Sequence, residues 1–262
     1  MSDSLIDFWQ ECPLDTAPFA HPEDLEILRK KSRWIADDDP ITFESYIKSK
    51  RFEDATDDRL HLSLLPVPYI GNIKDAEIVI LLLNPGFQYS DYWSETNSPE
   101  FRRRLKQNLY QSFDGVEFPF LFLDPQFCWH SGFMWWEKKL REVIQEIAVK
   151  KFNRNYHAAL HDLSQRLACV ELIPYHSRTF KDHKLINLLP SIQKAKKFVQ
   201  SSLVQDAASM KRTLIATRQI KEWGLARGLP NVVTYAGSHA RGASLSIKSK
   251  GGNAILKRYS IF

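Results

Sequence analysis

Cysteine is scarce in this 262-residue chain, and Cys12, Cys128 and Cys169 stand far apart with no C-x-x-C pair. That spacing excludes a disulfide framework and a cysteine-rich metal or cluster site, leaving reduced, buried thiols as the expectation. Long apolar runs are also missing. No stretch approaches the ~20 apolar residues of a membrane-spanning helix. Residues 1–10 carry acids, not the basic and then apolar segments of a signal peptide. The expectation is a soluble, cytoplasmic protein without a membrane partner. G-x-G-x-x-G, G-x-x-x-x-G-K-[ST] and G-x-S-x-G are all absent, so dinucleotide, P-loop and nucleophile-elbow chemistry lack their signatures. The last absence is of negative charge: no acid follows Glu222.

That absence belongs to a wider asymmetry. From Lys181 onward, 15 Lys and Arg face only Asp182, Asp206 and Glu222, so this final third carries +12 against −7 for residues 1–180. A one-signed field of this size favours a polyanion, most often nucleic acid, over the bland alternative of a basic face kept for solubility. The composition is otherwise ordinary for a globular protein, 44% hydrophobic and 26% charged, and one domain over 1–262 is the simplest count. The first 60 residues, with 15 acids against 8 bases, read as an N-terminal helical layer of that domain, away from the active region.

Helical spacing is expected over 22–34, 43–50, from Ser98-Pro99 onward, over 133–150, 156–167 and 191–209, and from 217 to 227. Apolar runs at 78–83, 168–173, 213–216 and 231–235 read as strands. Leu65-Pro-Val-Pro-Tyr-Ile-Gly-Asn72 reads as Pro/Gly loop chemistry. Strands separated by helices imply right-handed crossovers. The fold class expected is α/β: three layers, with a central four-stranded parallel sheet and helices on both faces. The aromatics of 115–136 should mostly be core. His157 and His161 have i, i+4 metal-ligand spacing but no evident third ligand, so no metal or cofactor is expected.

The densest local signal is Ile78-Val-Ile-Leu-Leu-Leu-Asn84-Pro-Gly-Phe87. An apolar run without alternation suits a strand covered on both faces, and Pro85 and Gly86 end it with a tight turn. In open α/β sheets ligands bind beyond the carboxyl ends of strands. By itself, Asn-Pro-Gly is also common turn chemistry.

Further matches follow in order. Leu83-Asn84-Pro85-Gly86 resembles the first motif of the mismatch-specific and single-strand-selective branches of the uracil-DNA glycosylase superfamily. Gly115-Val-Glu-Phe118-Pro119-Phe120 resembles their Gly-x-Pro-Phe element. Ser131-Gly-Phe-Met-Trp135-Trp136 with Lys139-Leu140 is similar to the aromatic helix start that follows. The resemblance runs over roughly residues 65–250. It implies that Asn84 positions the water attacking the anomeric carbon and that Phe120, with Gly86 and Phe87, holds the flipped base. His239 would stabilise the departing base as an anion. Such residue types suit the reaction, because an oxocarbenium-like state needs a stabilised leaving anion and an oriented weak nucleophile, while an aromatic face replaces lost base stacking.

The departures from the family pattern are informative. The second motif, His239-Ala-Arg241-Gly-Ala-Ser-Leu245-Ser, lacks the family's proline and is longer; Arg241 or Leu245 is the expected wedge into the vacated stack. The spacing from Asn84 to Phe120 exceeds the family's. The intervening Arg102, Arg103, Arg104 and Lys106 either hold phosphates or form a solvated basic helix. Lys248 and Lys250 are further expected DNA contacts. Glu171 stands where the uracil-specific branches place Asn. An ionised carboxylate only accepts hydrogen bonds, which suits an exocyclic amino group such as cytosine's; burial could instead leave it protonated. The expected function is therefore a monofunctional, monomeric DNA glycosylase that excises an altered base, a modified cytosine in preference to uracil, from duplex or single-stranded DNA. No strand-end lysine suggests a lyase step. The alternatives are a non-catalytic sensor of altered bases using the same pocket, and an unrelated hydrolase of small nucleosides.

Overall fold

A computed structural model describes residues 4–30, 40–181, 184–235 and 244–261. The chain groups into two compact units, each assembled from three stretches of sequence: Met1–Pro68, Asn84–Ser112 and Glu171–Lys196 in the first, Tyr69–Leu83, Phe113–Val170 and Lys197–Phe262 in the second.

The second unit carries the sheet. Its strands are β1 (Tyr69–Ile70), β2 (Ile78–Leu82), β3 (Leu167–Glu171, whose last residue groups with the first unit), β4 (Thr213–Ala216) and β5 (Val232–Thr234), in the order β1-β3-β2-β4-β5. Every residue of β2, β3 and β4 is buried, as their unbroken apolar character requires. β2 and β4 run parallel, with Val79 opposite Leu214 and Ile80 opposite Ile215, and β4 pairs parallel with β5. β1 pairs antiparallel with β3, Tyr69 opposite Val170 and Ile70 opposite Cys169.

The α/β class holds, but the sheet has five strands and is mixed, correcting the expected four parallel strands. The added strand is two residues long, too short for any periodicity, and follows Pro68, a residue tolerated only at the margins of sheets. Gly71 closes it at φ 86°, where an added Cβ would run into the Leu167 carbonyl oxygen. No other residue fits there without a shift of the backbone.

The two longest helices of this unit follow their sequence patterns closely. The longest, Ser131–Lys151, buries Trp136, Leu140, Val143, Ile144, Ile147 and Ala148 along one stripe, and Lys150 and Lys151 sit favourably in its last turn. It packs against Tyr156–Arg166, whose first turn is capped by Asn155, the side chain accepting the Ala158 N–H at 3.0 Å. Asn155→Ala should lower stability by about 1 kcal/mol, read as a shift in the urea midpoint; an unchanged midpoint would show the cap to be idle. The expected helix over 191–209 is broken by a π-helical stretch, Val199–Leu203, between Pro190–Phe198 and Val204–Ala208. The one expected over 217–227 is replaced by turns, with Gln219 and Gly224 at φ 55° and 68°.

The first unit contains the helices Leu5–Gln10, Pro22–Arg29, Phe43–Ile47, Lys50–Glu53, Tyr89–Asn97 and Pro99–Leu109. Part of the expected helix over 22–34 lies outside the described residues. Asp24, fully buried, joins distant segments by accepting the Tyr175 hydroxyl at 2.7 Å and the Ser191 N–H at 3.0 Å. Cys12 and Cys169 are buried, Cys128 is exposed, and all three are free thiols. Among the described residues no helix is long and apolar enough to cross a membrane.

Candidate functional site around Asn84

The Asn-Pro-Gly-Phe turn is pinned at three of its four residues, all by partners in the first unit. The Asn84 side-chain NH2 donates to the Ser177 carbonyl and to Ser177 Oγ, both at 3.1 Å. A carbonyl can only accept, so this contact fixes the amide orientation and leaves Oδ1 as an acceptor with no protein partner among the described residues. Asn84 is half-buried and Ser177 fully buried.

Gly86 takes φ 72°, and an added Cβ there would meet nothing within 4 Å. The glycine therefore answers to the backbone conformation, and the space beside it is open. Its carbonyl accepts the Nδ1–H of His176 at 3.0 Å. Burial lowers the His176 pKa to about 4 against the pull of the Gly86 and Leu65 carbonyls, so the imidazole is neutral.

Phe87 stacks face to face on His61, with centroids 3.8 Å apart and planes 12° from parallel. Tyr46 meets the Phe87 ring edge-on at 5.4 Å and stacks on Tyr92 at 4.6 Å. His61 is itself fixed at both nitrogens. Nε2 lies 3.3 Å from Arg51 Nη2, and since a guanidinium only donates, Nε2 must accept; Nδ1 then donates to the Tyr92 hydroxyl at 3.3 Å. Burial, then the charge of Arg51 and, further off, those of Arg178 and Arg59, hold its pKa well below the usual histidine value. Beneath it, the Arg51–Asp57 ion pair closes at 2.6 Å with both side chains buried. Arg178 lies over the Tyr89 ring at 4.8 Å and the Phe87 ring at 5.8 Å, and Tyr89 remains 43% exposed.

Chemically, this is a rigid loop that presents one amide oxygen beside an open space, backed by neutral histidines and flanked by a half-exposed guanidinium and an exposed phenol. Such a corner can orient a water molecule or bind a polar group; it contains no strong base. Comparison with protein-family models, curated proteins and solved structures returns no match. The chemistry at Asn84 therefore rests on the geometry alone.

The other residues singled out from the sequence fare unequally. Asn84, Gly86, Phe87 and Glu171 fall in the first unit. Glu171 is buried, its N–H donating to the Pro68 carbonyl at 2.9 Å. Phe87 is 6% exposed with a face taken by His61, which leaves little of it for a base. Phe120 is withdrawn from stacking altogether. It is fully buried in the second unit, its ring edge-on to Trp136 at 4.9 Å and its N–H bonded to Ser164 Oγ. Leu245, at 1% exposure, is likewise core and cannot serve as a wedge.

Arg102 is engaged by Glu95 at 3.2 Å and lies over Phe19, Arg103 pairs with Glu100 at 2.5 Å, and Arg104 is buried. Arg103 is solvated on the helix face, as one of the two expectations had it, whereas Arg102 and Arg104 are turned to the protein. Lys248 and Lys250 are exposed. His239 and Arg241 lie outside the described residues. Among the described residues no group of three or more His, Cys, Asp or Glu gathers to hold a metal ion; His157 and His161 lie against the edge of Phe118.

The residues that sequence reasoning passed over are His61, Tyr46, Tyr89, Tyr92 and Ser177. Tyr46 comes from the N-terminal segment expected to stand apart from the site. The stretch Pro174-Tyr-His176-Ser177-Arg178, just beyond β3, was the available signal for the last of them.

Proposed function

We propose that the chain is a monofunctional DNA glycosylase that hydrolyses the N-glycosidic bond of an altered base and leaves an abasic site. The observation that carries this reading is the anchored amide of Asn84, with Oδ1 held out as an acceptor beside the open side of Gly86. Water bonded there would attack the anomeric carbon as the carbon–nitrogen bond breaks, the base leaving with the bonding electrons and acquiring a proton. A neutral amide is enough, because an oxocarbenium-like centre needs an oriented nucleophile more than a strong one. With Phe120 buried, Tyr89, exposed and edge-on to Phe87 at 6.3 Å, is the aromatic beside the turn that can face a base. Glu171 would select an exocyclic amino group, favouring a modified cytosine, and His239 would stabilise the departing anion.

The charge distribution supports a nucleic-acid substrate. A groove of about 550 Å³ along β5 is lined by Lys248, Lys250 and Lys257 together with Asn231 and Asn253, and no acid is among its lining residues. Phosphates are the natural occupants of such a channel.

The test is a panel of duplex and single-stranded oligonucleotides bearing uracil, mismatched thymine and modified cytosines, treated with protein and then alkali. Strand cleavage at one of these bases is expected, and Asn84→Ala should reduce its rate roughly a hundredfold. Full activity in the variant would remove Asn84 from the mechanism. Tight binding with no cleavage by the wild type would favour the second reading, a sensor of altered bases.

A further inference from the structure

Large apolar side chains are exposed at the start of the long helix Ser131–Lys151: Trp129 at 41%, Met134 at 54% and Trp135 at 41%. These belong to the aromatic stretch expected to be core. They are not loosely held. The Trp129 indole N–H donates to the Gln126 carbonyl at 3.1 Å, and Trp135 is braced by the perpendicular ring of Trp136 at 4.9 Å. One turn along, Lys139 Nζ lies over the Trp135 ring, 5.4 Å from its centroid.

Trp135 also forms a wall of a groove of about 420 Å³, completed by Lys138, Lys139, Glu142, Ser244 and Ser246 over the buried Leu245. The groove falls within the roughly 300–1,000 Å³ typical of small-molecule sites. Its single acid is engaged, Glu142 accepting the Ile247 N–H at 3.2 Å. Two ammonium groups, Lys138 and Lys139, stand against that one carboxylate, so the groove carries a net positive charge. A rigid, half-exposed indole, flanking ammonium groups and serine hydroxyls together match the parts of a nucleotide. The ring offers a face to any base, the lysines meet a phosphate, and the hydroxyls meet a sugar or base edge. A partner protein would instead be expected to use a broader apolar surface with fewer cations.

We infer that the Trp135 groove binds an unpaired nucleotide of single-stranded nucleic acid. This rests on the nucleic-acid part of the function proposed above and is independent of excision. Duplex DNA offers no free base to the indole, so the site discriminates single strands from duplex.

The test is fluorescence anisotropy with a labelled single strand of about 15 nucleotides, the size of a typical single-strand site, and with the same sequence as duplex. Trp135→Ala should weaken single-strand binding roughly tenfold, whereas Trp135→Phe, which keeps a π face, should stay within about threefold of wild type. Lys138→Glu, at an exposed position, should also weaken it, and more so at low salt. Duplex binding should move less than the single-strand value in Trp135→Ala. An unchanged affinity in Trp135→Ala, an equal loss for duplex, or no single-strand binding by wild type would each overturn the inference. Excision assays on the same proteins separate the two ideas: wild type that binds single strands through Trp135 but cleaves nothing keeps this site and removes the glycosylase.

Discussion

Asp57→Ala should destabilise the protein by about 3–5 kcal/mol, the usual consequence of stranding one partner of a buried ion pair. The Arg51 and Asp57 side chains are 4% and 2% exposed, and Nε meets Oδ2 at 2.6 Å. The second carboxylate oxygen accepts both the Nε and the backbone N–H of Arg59, at 2.9 and 3.2 Å. Burial pushes the Asp57 carboxyl up, but the hydrogen bonds from Arg59 and Arg51 outweigh it and hold its pKa below the ordinary carboxylate value. Without the carboxylate, the Arg51 guanidinium would lose its charged partner and keep neutral acceptors such as the Arg59 and Leu60 carbonyls and His61 Nε2, each at 3.3 Å. Those neutral acceptors cannot offset a buried cation. Asp57→Asn preserves the shape and some hydrogen bonding, and should fall between wild type and alanine. Urea unfolding gives the comparison, and a loss below about 1 kcal/mol in Asp57→Ala, a surface-pair value, would show that the guanidinium escapes to solvent. Because Arg51 also orients His61, which stacks on Phe87, the same variant should loosen the turn that carries Asn84.

The parts of this structure legible in the sequence are those governed by local rules. The runs that became β2, β3 and β4 were readable because buried strands need unbroken apolar residues, and half-buried β5 from its paired valines. The long helix and its successor were readable from stripe spacing and from Asn155. β1 was not, since Pro66 and Pro68 make its surroundings read as loop and two residues carry no pattern. At the site, Asn84 could be found because an apolar run stops on Pro-Gly. His61 could not: a single histidine in a leucine- and proline-rich loop gives no periodic signal, and its partners Arg51, Phe87, Tyr92 and His176 come from three separate stretches of the chain. Phe120 and Trp135 show the converse limit. Both lie in aromatic stretches with a family resemblance, yet burial is decided by tertiary packing, which buries one completely and leaves the other 41% exposed.

Stability should peak near pH 6.5 and fall on both sides, because the first unit buries groups whose pKa values move in opposite directions. His176 is lowered from 6.5 to about 4. The unfolded chain therefore binds its proton first as pH falls, so the stability His176 contributes is complete above 6.5 and lost as pH drops through about 4. At roughly 1.4 kcal/mol per unit, that shift is worth about 3 kcal/mol. His61 shifts in the same direction and adds to the acid limb, since its protonation would set a second cation against Arg51. Glu95 works the other way. Burial raises it from 4.5 to about 8 against the Leu65 N–H and Arg102, so its contribution is complete below 4.5 and lost as pH rises through about 8. Where the windows overlap, the lowered histidines, His21 with them, outweigh the raised carboxyls of Glu95 and Asp24 and stability still climbs with pH; above 6.5 Glu95 titrates, followed at higher pH by the buried Cys12 thiol, and stability declines. Melting temperatures across this range test the scheme. Glu95→Gln, which cannot ionise, should flatten the alkaline limb while leaving the acid limb in place. A wild-type protein equally stable at pH 6.5 and pH 4 would mean that His61 and His176 take up protons while folded, and would falsify the neutral-histidine description of the Asn84 corner.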